Sequence, residues 1–454
     1  MKSCPSELFY DQTDMSDLLN RLSAEVATRL RGAGRQVYYV GGSVRDELLG
    51  VEVHDRDLTT DATPAELKML FPGALEVGAH FGVMLIRRDG VEVQVATFRT
   101  ESSYRNGRHP EEVRFETDVV ADLRRRDFTI NALLRDPFTG AILDPLGGMA
   151  DLRAGIIRAI GNPAERFQED HLRMLRAVRF AARLGFEIEA GTMDAIRTLA
   201  PQINRISAER IRDELVRILT EGGARRGFEL LDSSGLLLEI LPEVSAMKGV
   251  QQPPQFHPEG DVWIHTLGLL ERMGTPPIEL ALGCLLHDVG KPPTQTFEDR
   301  IRFNGHDHVG AGMTRRILSR LRFPSDVIEA VESMVDQHMK FKDAGRMGVS
   351  AFKRFVRQPG FDELLQLHRL DILASGGGLR SYDAVKDRYE ALPEEQLRPP
   401  PLITGRDLIE LGYQPGPAMG TILRSVEEQQ LEGQLQSKEE AIAYVRRVWA
   451  PAAT

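Results

Sequence analysis

Cysteine is nearly absent from this chain, with Cys4 and Cys284 the only two among 454 residues. That scarcity argues against a disulfide scaffold or a thiolate metal site and fits a reducing compartment. Long apolar runs are missing too. No stretch approaches the roughly 20 residues of a membrane span, and the polar start Met1-Lys2-Ser3-Cys4-Pro5-Ser6-Glu7 does not read as a signal peptide. The sequence therefore predicts a cytoplasmic location and no membrane partner. It lacks a repeat of roughly 20–50 residues and any long low-complexity tract. It also lacks a basic excess: the net charge of −10 argues against nonspecific coating of nucleic acid, although it says little about a local groove.

What is present suffices for several cores, since 42% of residues are hydrophobic and this length suits about three or four domains. The most informative stretch is Val40-Gly41-Gly42-Ser43-Val44-Arg45-Asp46, followed by His54-Asp55-Arg56-Asp57-Leu58-Thr59. The preceding Gln36-Val37-Tyr38-Tyr39-Val40 reads as a buried strand that stops at a diglycine turn. Two glycines let backbone N–H groups approach an anion. Ser43 to Leu49 then opens a helix whose amino end favours negative charge, with Arg45 available to a triphosphate. Asp55 and Asp57, two apart on a strand, would project from one face and jointly hold cations. Alone, each piece also fits a structural turn or a solvated acidic loop. Together they lay out a metal-dependent nucleotidyl transfer site.

The fold class is predicted as α+β: a small α/β head with a mixed sheet, followed by a mostly helical remainder. Gly82–Ile86 and Val91–Val95 read as strands joined at Asp89-Gly90, after an amphipathic helix over residues 1 to about 34. Apolar spacing through Met174-Leu175, Val178, Ala181-Ala182 and Leu184 predicts a helix closed by Gly185. The predicted domains are a head at 1–148, a helical neck at 149–250, a second helical domain at 258–382 and a helical tail at 383–454. The proline-bearing break Gln251-Gln252-Pro253-Pro254 marks the middle boundary. Arginine gathers at Arg124-Arg125-Arg126, at Arg173, Arg176, Arg179 and Arg183, and at Arg205, Arg210, Arg212 and Arg217. Such clusters fit either a polyanion path or a charged helix face.

A second constellation is Glu169-Asp170-His171-Leu172-Arg173. On a helix Asp170 and Arg173 would share a face, where an isolated pair is ordinarily a surface ion pair. A carboxylate acceptor beside a guanidinium donor also matches the base edges of cytosine and adenine, whereas uracil and guanine present a carbonyl where the carboxylate sits.

These motifs, in order with Arg125-Arg126-Asp127-Phe128-Thr129-Ile130-Asn131-Ala132 between them, resemble those of class II tRNA nucleotidyltransferases and bacterial poly(A) polymerases across residues 36–245. Pro401–Gly405 and Leu411–Pro417 resemble the tail of long bacterial members. The resemblance implies that Asp55 and Asp57 hold catalytic Mg²⁺ and that Gly42 and Arg45 contact the triphosphate. It implies that Arg126, with Asp127 and Asn131, recognises ribose and phosphate, although a helix cap is the alternative for the latter two. Asp170 and Arg173 would form an amino-acid template, with Arg176 and Arg179 neutralising phosphates. A flexible loop within Phe98 to Arg114 would assist the switch from C to A addition. Here it reads Tyr104-Arg105-Asn106-Gly107-Arg108-His109-Pro110, where many relatives carry paired arginines before the proline. Gln94 stands where relatives commonly place a carboxylate, with Glu92 on the same strand face.

A third constellation, His265 with His287-Asp288 and Gly290-Lys291-Pro292, resembles an HD-domain phosphohydrolase. Asp371 is the candidate closing ligand, with His306, His308 and His338 as additions. Imidazoles and carboxylates suit Ni²⁺, Mn²⁺ or Zn²⁺. Hydrolysis, for instance of 2′,3′-cyclic phosphate ends, and a structural ion are both open.

The expected function is CCA addition to the tRNA 3′ end from CTP and ATP. CC-adding, A-adding and poly(A)-polymerising enzymes share the motifs, and an HD phosphohydrolase or RNA-binding protein with an inactive head is the rival of another class. The sequence leaves the oligomeric state open.

Overall fold

The computed structural model describes residues 12–53, 55–77, 82–105, 109–255, 257–297 and 300–449, and its contacts divide the chain into two compact units, Met1–Pro242 and Glu243–Thr454.

The first unit opens with the helix Gln12–Gly32, whose buried Leu19, Leu22, Val26 and Leu30 recur at helical spacing. Strand β1, Val37–Val40, follows and ends at Gly41, whose φ of 80° and ψ of −137° suit a residue without a side chain. The chain turns there directly into the short helix Gly42–Leu48. Next come β2 (Asp57–Thr60), the helix Pro64–Leu70 with a Thr63/Glu66 capping box, β3 (Leu75–Glu76), β4 (Val83–Arg88) and β5 (Val91–Thr97). Asp89 and Gly90 both have positive φ, 49° and 82°, the geometry a tight hairpin of right-twisted strands requires. On β5 Val91, Val93 and Val95 are buried while Glu92 and Gln94 face outward, the period-two pattern of a strand with one covered face.

Strands β6 (Arg99–Arg105) and β7 (His109–Phe115) form a separate antiparallel ribbon. The segment read as a loop is thus largely paired backbone, and residues 106–108 lie outside the described residues, as does His54. With β8 (Leu134–Arg135) and β9 (Ile142–Leu143) the main sheet has the order β3-β4-β5-β2-β1-β8-β9. Only β2–β5 is parallel; the other neighbours are antiparallel. This is the expected mixed sheet. Its β1 end packs on Val40, Leu123, Ala132, Leu134 and Ile160.

After the sheet the unit is chiefly helical. The helix Leu172–Leu184 buries Met174, Leu175, Ala177, Val178 and Ala181 and is closed by Gly185 at φ 68°. Pro163–Glu169, Ala208–Thr220 and Ala224–Ser233 surround it.

In the second unit the described residues form helices and one hairpin, Gln295–Phe297 with Ile301–Phe303. The helix Ile278–Leu286 is buried throughout from Leu280 to Leu286, as expected of a helix apolar on all sides. It delivers His287 and Asp288 at its carboxyl end. A tail cluster gathers Ile403, Leu408, Ile422, Val426, Ala441 and Val445. Among the described residues no helix is long and apolar enough to cross a membrane.

Candidate active site and a second ligand cluster

All of the head and neck residues singled out in the sequence, Gly42, Arg45, Asp55, Asp57, Arg126, Asp127, Asn131, Asp170, Arg173, Arg176 and Arg179, line one cleft of about 620 Å³. Asp57 starts β2 and Asp55 lies just before it, outside the strand. Strand alternation therefore does not align the two, yet both border the same space. Burial, and then the neighbouring Asp55, push the Asp57 carboxyl up to about 6 despite the opposing Arg126. A carboxylate raised in this way is suited to exchange a proton for a cation. Both acids also border a smaller cavity of about 310 Å³ with Met15, Leu19, Val53 and Gln94. Gln94 is the register partner of Asp57 across β2–β5, and Glu92 instead pairs with Arg87 at 2.9 Å.

The floor of the cleft is a chain of charge-assisted bonds. Arg45, only 2% exposed, donates to Asp46 at 2.7 Å and to Asn131 Oδ1 at 2.6 Å. Asn131 donates in turn to Asp127 at 3.0 Å, and Arg176 donates to the other Asp127 oxygen at 2.8 Å. Asp127 also accepts from the Phe128 N–H. Burial alone would raise Asp127, but Arg176 and Asn131 hold it at about 2, so the network stays ionised. The helix-cap alternative for Asp127 and Asn131 is not met, since the N-cap of Thr129–Asn131 is Phe128 with no side-chain cap bond; the pair instead ties the head to the helix Leu172–Leu184 through Arg176. Arg126 reaches Asp122, at 3.4 Å, and approaches Gly41, where an added Cβ would lie 3.5 Å from its Nη1.

Asp170 is not on a helix. It sits between Pro163–Glu169 and Leu172–Leu184, accepting from the Leu172 N–H at 3.1 Å. Arg210 holds it bidentately at 3.1 and 2.7 Å. Arg173 is held by Glu169 at 2.6 Å and by the carbonyls of Arg166 and Arg125. The carboxylate and the guanidinium are thus oriented by separate partners, with both facing the cleft.

Arg179 is 4% exposed and donates to Glu214 at 2.7 Å and to Glu221 at 3.2 Å. The guanidinium groups of Arg45, Arg176 and Arg179 all lie within 5.2 Å of the Phe180 ring centre. Arg210, Glu214, Asp122 and the Asp46–Arg183 pair at 3.1 Å were not singled out as functional. The partners of Arg210, Glu214 and Arg183 lie 40, 35 and 137 positions away; Arg210 and Arg183 appeared only as members of arginine clusters and Asp46 only within the diglycine motif.

The second unit gathers the third constellation. His265 Nε2 is 3.0 Å from Asp371 and 3.9 Å from Asp288, and His287 Nε2 is 3.2 Å from Asp288. His265 Nε2, His287 Nε2 and Asp288 Oδ2 are buried without a well-aligned hydrogen bond in the described structure, which suits a donor set that awaits a cation. Burial opposes the charged form of His265, yet the Asp371 and Glu259 carboxylates raise it to about 9. Glu259, missed in the sequence, accepts a hydrogen bond from His265 Nδ1 at 2.7 Å and so orients the ring. Gly290 has a steric reason: a Cβ there would fall 2.1 Å from the His306 carbonyl oxygen. His306 and His338 join the cluster, whereas His308 stands exposed beside Asp336.

Residues 37–158 match the family described as the poly A polymerase head domain, residues 185–248 a probable RNA- and SrmB-binding site of polymerase A, and residues 308–445 a tRNA nucleotidyltransferase domain 2. The chain is 33% identical over 417 residues to a CCA-adding enzyme of Limosilactobacillus fermentum, covering 90% of this chain and 92% of that one. It is 33% identical over 426 residues to one of Enterococcus faecalis, covering 92% and 94%. Among solved structures it resembles the Bacillus stearothermophilus CCA-adding enzyme in complex with CTP, at a TM-score of 0.73 and 25% identity, covering 94% and 97%. The Thermotoga maritima CCA-adding enzyme complexed with tRNA shares the fold at a TM-score of 0.58 and 20% identity, covering 97% and 99%.

Proposed function

Because this chain belongs to the CCA-adding tRNA nucleotidyltransferase family, a family of nucleotidyltransferases, we propose that its first unit adds C and A to the 3′ end of tRNA from CTP and ATP. The observation that carries this reading is the convergence of two acids, the diglycine turn and the Asp170/Arg173 pair on one cleft.

In the proposed reaction the tRNA 3′-hydroxyl attacks the α-phosphorus, the bond to the β-phosphate breaks, and pyrophosphate leaves. Asp55 and Asp57 would hold Mg²⁺, which when bound lowers the cost of deprotonating the hydroxyl and of charge on the leaving oxygen. The rest falls to the chain's own residues. Gly42 leaves the turn open to the triphosphate, Arg126 reaches the same space, and the Arg45–Asn131–Asp127–Arg176 network keeps the floor rigid and charged. Arg179, buried with Glu214 and Glu221, would act on phosphate through the field it adds rather than by direct contact. Asp170, aimed by Arg210, would accept from the exocyclic amine of C or A while Arg173 donates to the adjacent ring nitrogen.

End-sequencing of products on tRNA lacking one, two or three terminal nucleotides, with CTP and ATP supplied singly and together, tests the reading. Completion to CCA is expected. Arrest after CC, or after a lone A, would reassign the chain within the family, and long adenylate tails on unrelated RNA would favour poly(A) polymerase.

The buried donors of the second unit support a second reading, a divalent cation such as Ni²⁺, Mn²⁺ or Zn²⁺ held by His265, His287, Asp288 and Asp371. Cation-dependent release of a 2′,3′-cyclic phosphate end would make this a phosphohydrolase; retention of the ion without turnover would make it structural.

A further inference from the structure

Arg56 stands between the two acids in sequence but not in the cleft. Among the described residues that line the cleft of the first unit are Asp55 and Asp57 but not Arg56, which borders the smaller cavity beside Met15 and Leu19. Its guanidinium engages three partners on three separate elements. Nε donates to Asn20 Oδ1 on the helix Gln12–Gly32 at 2.7 Å, the central carbon stands 5.1 Å from the centre of the Tyr39 ring on β1, and Nη1 pairs with Glu47 on the helix Gly42–Leu48 at 3.6 Å. Two of these partners are themselves held. Tyr39 is buried with its hydroxyl 3.3 Å from Ser23 Oγ, and Glu47 also pairs with Arg135 on β8. A planar guanidinium can meet an acceptor in its plane, a ring across its face and a carboxylate at its edge together, which a compact ammonium cannot. The Arg56 side chain is accordingly only 14% exposed.

The sheet begins too late to fix Asp55. Strand β2 pairs with β5 from Asp57 onward and with β1 from Leu58 onward, so Asp55 precedes the ladder and is exposed. Two carboxylates that face one space repel each other. Burial and Asp55 already push up the Asp57 carboxyl, and the cation that counters them there is Arg126. Without a restraint on the peptide between them, the exposed acid would swing away from its neighbour and a cation's ligands would separate. Arg56 is placed to supply that restraint, because a side chain anchored at three points fixes the Cα from which both flanking peptides leave.

We propose that Arg56 is a positioning residue for the carboxylate pair: it tethers the link between Asp55 and Asp57 to two helices and β1, and so sets the spacing at which the acids share a divalent cation. This rests on the proposed role of Asp55 and Asp57 as ligands of that cation and deepens it. The sign of the effect separates a tether from a simple charge. A positive group beside two acids weakens the binding of another cation, so removing a purely electrostatic Arg56 would tighten cation binding. Removing a tether would loosen it.

The test uses the full chain stripped with chelator. Mn²⁺ is titrated in the presence of CTP without tRNA, with free ion read by electron paramagnetic resonance, and the binding component lost in Asp57→Asn is the one that belongs to the pair. The half-saturating Mg²⁺ concentration for CTP incorporation into tRNA is measured in parallel. Arg56→Ala should weaken that Mn²⁺ component by about tenfold or more and raise half-saturating Mg²⁺ by a similar factor. Arg56→Lys, which keeps the charge but not the fork, should shift both in the same direction. Asn20→Ala, at an exposed position, should give a smaller shift of the same sign and keeps the test decisive if Arg56→Ala folds poorly. Unchanged or tighter cation binding across the three variants, with Asp57→Asn still losing its component, would overturn the tether and leave the carboxylate pair standing. A rise confined to KM for tRNA would also overturn it, by making Arg56 a contact for the RNA. No component lost in Asp57→Asn would overturn the carboxylate pair itself.

Discussion

The cleft of the first unit and the cluster of the second both concentrate carboxylates, but they balance them with different partners. In the cleft the counter-charges are guanidinium groups that never lose their protons. Asp127, Asp170 and Glu214 are held by Arg176, Arg210 and Arg179, while the Asp57 carboxyl, beside Asp55, is raised. In the second unit the partners of Asp288 and Asp371 are chiefly imidazoles, which can exchange a proton for a metal. The difference separates a pre-charged surface for an anionic substrate from a pocket whose charge depends on what it binds.

The most damaging change to the first half of that contrast is Asp57→Asn. Nucleotide incorporation should fall by at least about 10³-fold, or about 4 kcal/mol of transition-state stabilisation, with the thermal midpoint preserved. Retained activity would remove Asp57 from the chemistry.

Arg179→Ala attacks the guanidinium side of the comparison. It leaves Glu214 buried beside a distant Arg176, 3.7 Å away, and should destabilise the first unit by about 3–5 kcal/mol, read as a shift in denaturant midpoint. An unchanged midpoint would mean that these pairs are not structural.

Base selection should respond next. The double variant Asp170→Ala/Arg173→Ala should relax discrimination against UTP by about 10–100-fold, measured as the ratio of kcat/KM for CTP over UTP. If that ratio held, the template assignment would be lost.

Proton linkage distinguishes the two sites by pH window. Both groups have raised folded values, so in each case the folded protein binds more protons and stability falls as pH rises between the two values. For Asp57 the window runs from 3.8 to about 6, and for His265 from 6.5 to about 9. The protonated His265–Asp371 contact contributes fully below 6.5 and is lost through about 9. Melting curves of chelator-treated protein should therefore decline through the upper window, and His265→Gln should flatten that decline. Added Mn²⁺ should do the same by replacing the proton.

The smallest effect concerns Gln94, opposite Asp57. Gln94→Glu adds a third negative side chain and should lower the half-saturating Mg²⁺ concentration for nucleotide addition by roughly three- to tenfold. No change would place Gln94 outside the cation's reach.

The residues legible in the sequence were those whose chemistry is local. Asp55-x-Asp57, the diglycine turn and the Asp89-Gly90 hairpin each depend on neighbours within a few positions. The helix closed by Gly185 was legible from its apolar spacing. The order of motifs then pointed to the family, which sequence relatives bear out. Asp170 was misplaced by a helix boundary: periodicity marks the apolar face of Leu172–Leu184 but not the cap where it begins. Its partner Arg210 is 40 positions away, and Glu259 is oriented toward His265 by a fold that no local pattern encodes. The Phe98–Arg114 stretch lacked the apolar alternation of a covered strand, so its paired backbone was not foreseen.

The location of Asp170 in the two-residue link between helices has a mechanical corollary. Its aim depends on one peptide N–H and one guanidinium, not on the packing of either helix. Inserting or deleting a single residue in that link would re-point the Asp170 carboxylate while leaving the apolar faces of both helices in place. Under the proposed base-reading role of Asp170, selectivity would then change while the apolar faces of both helices stayed in place.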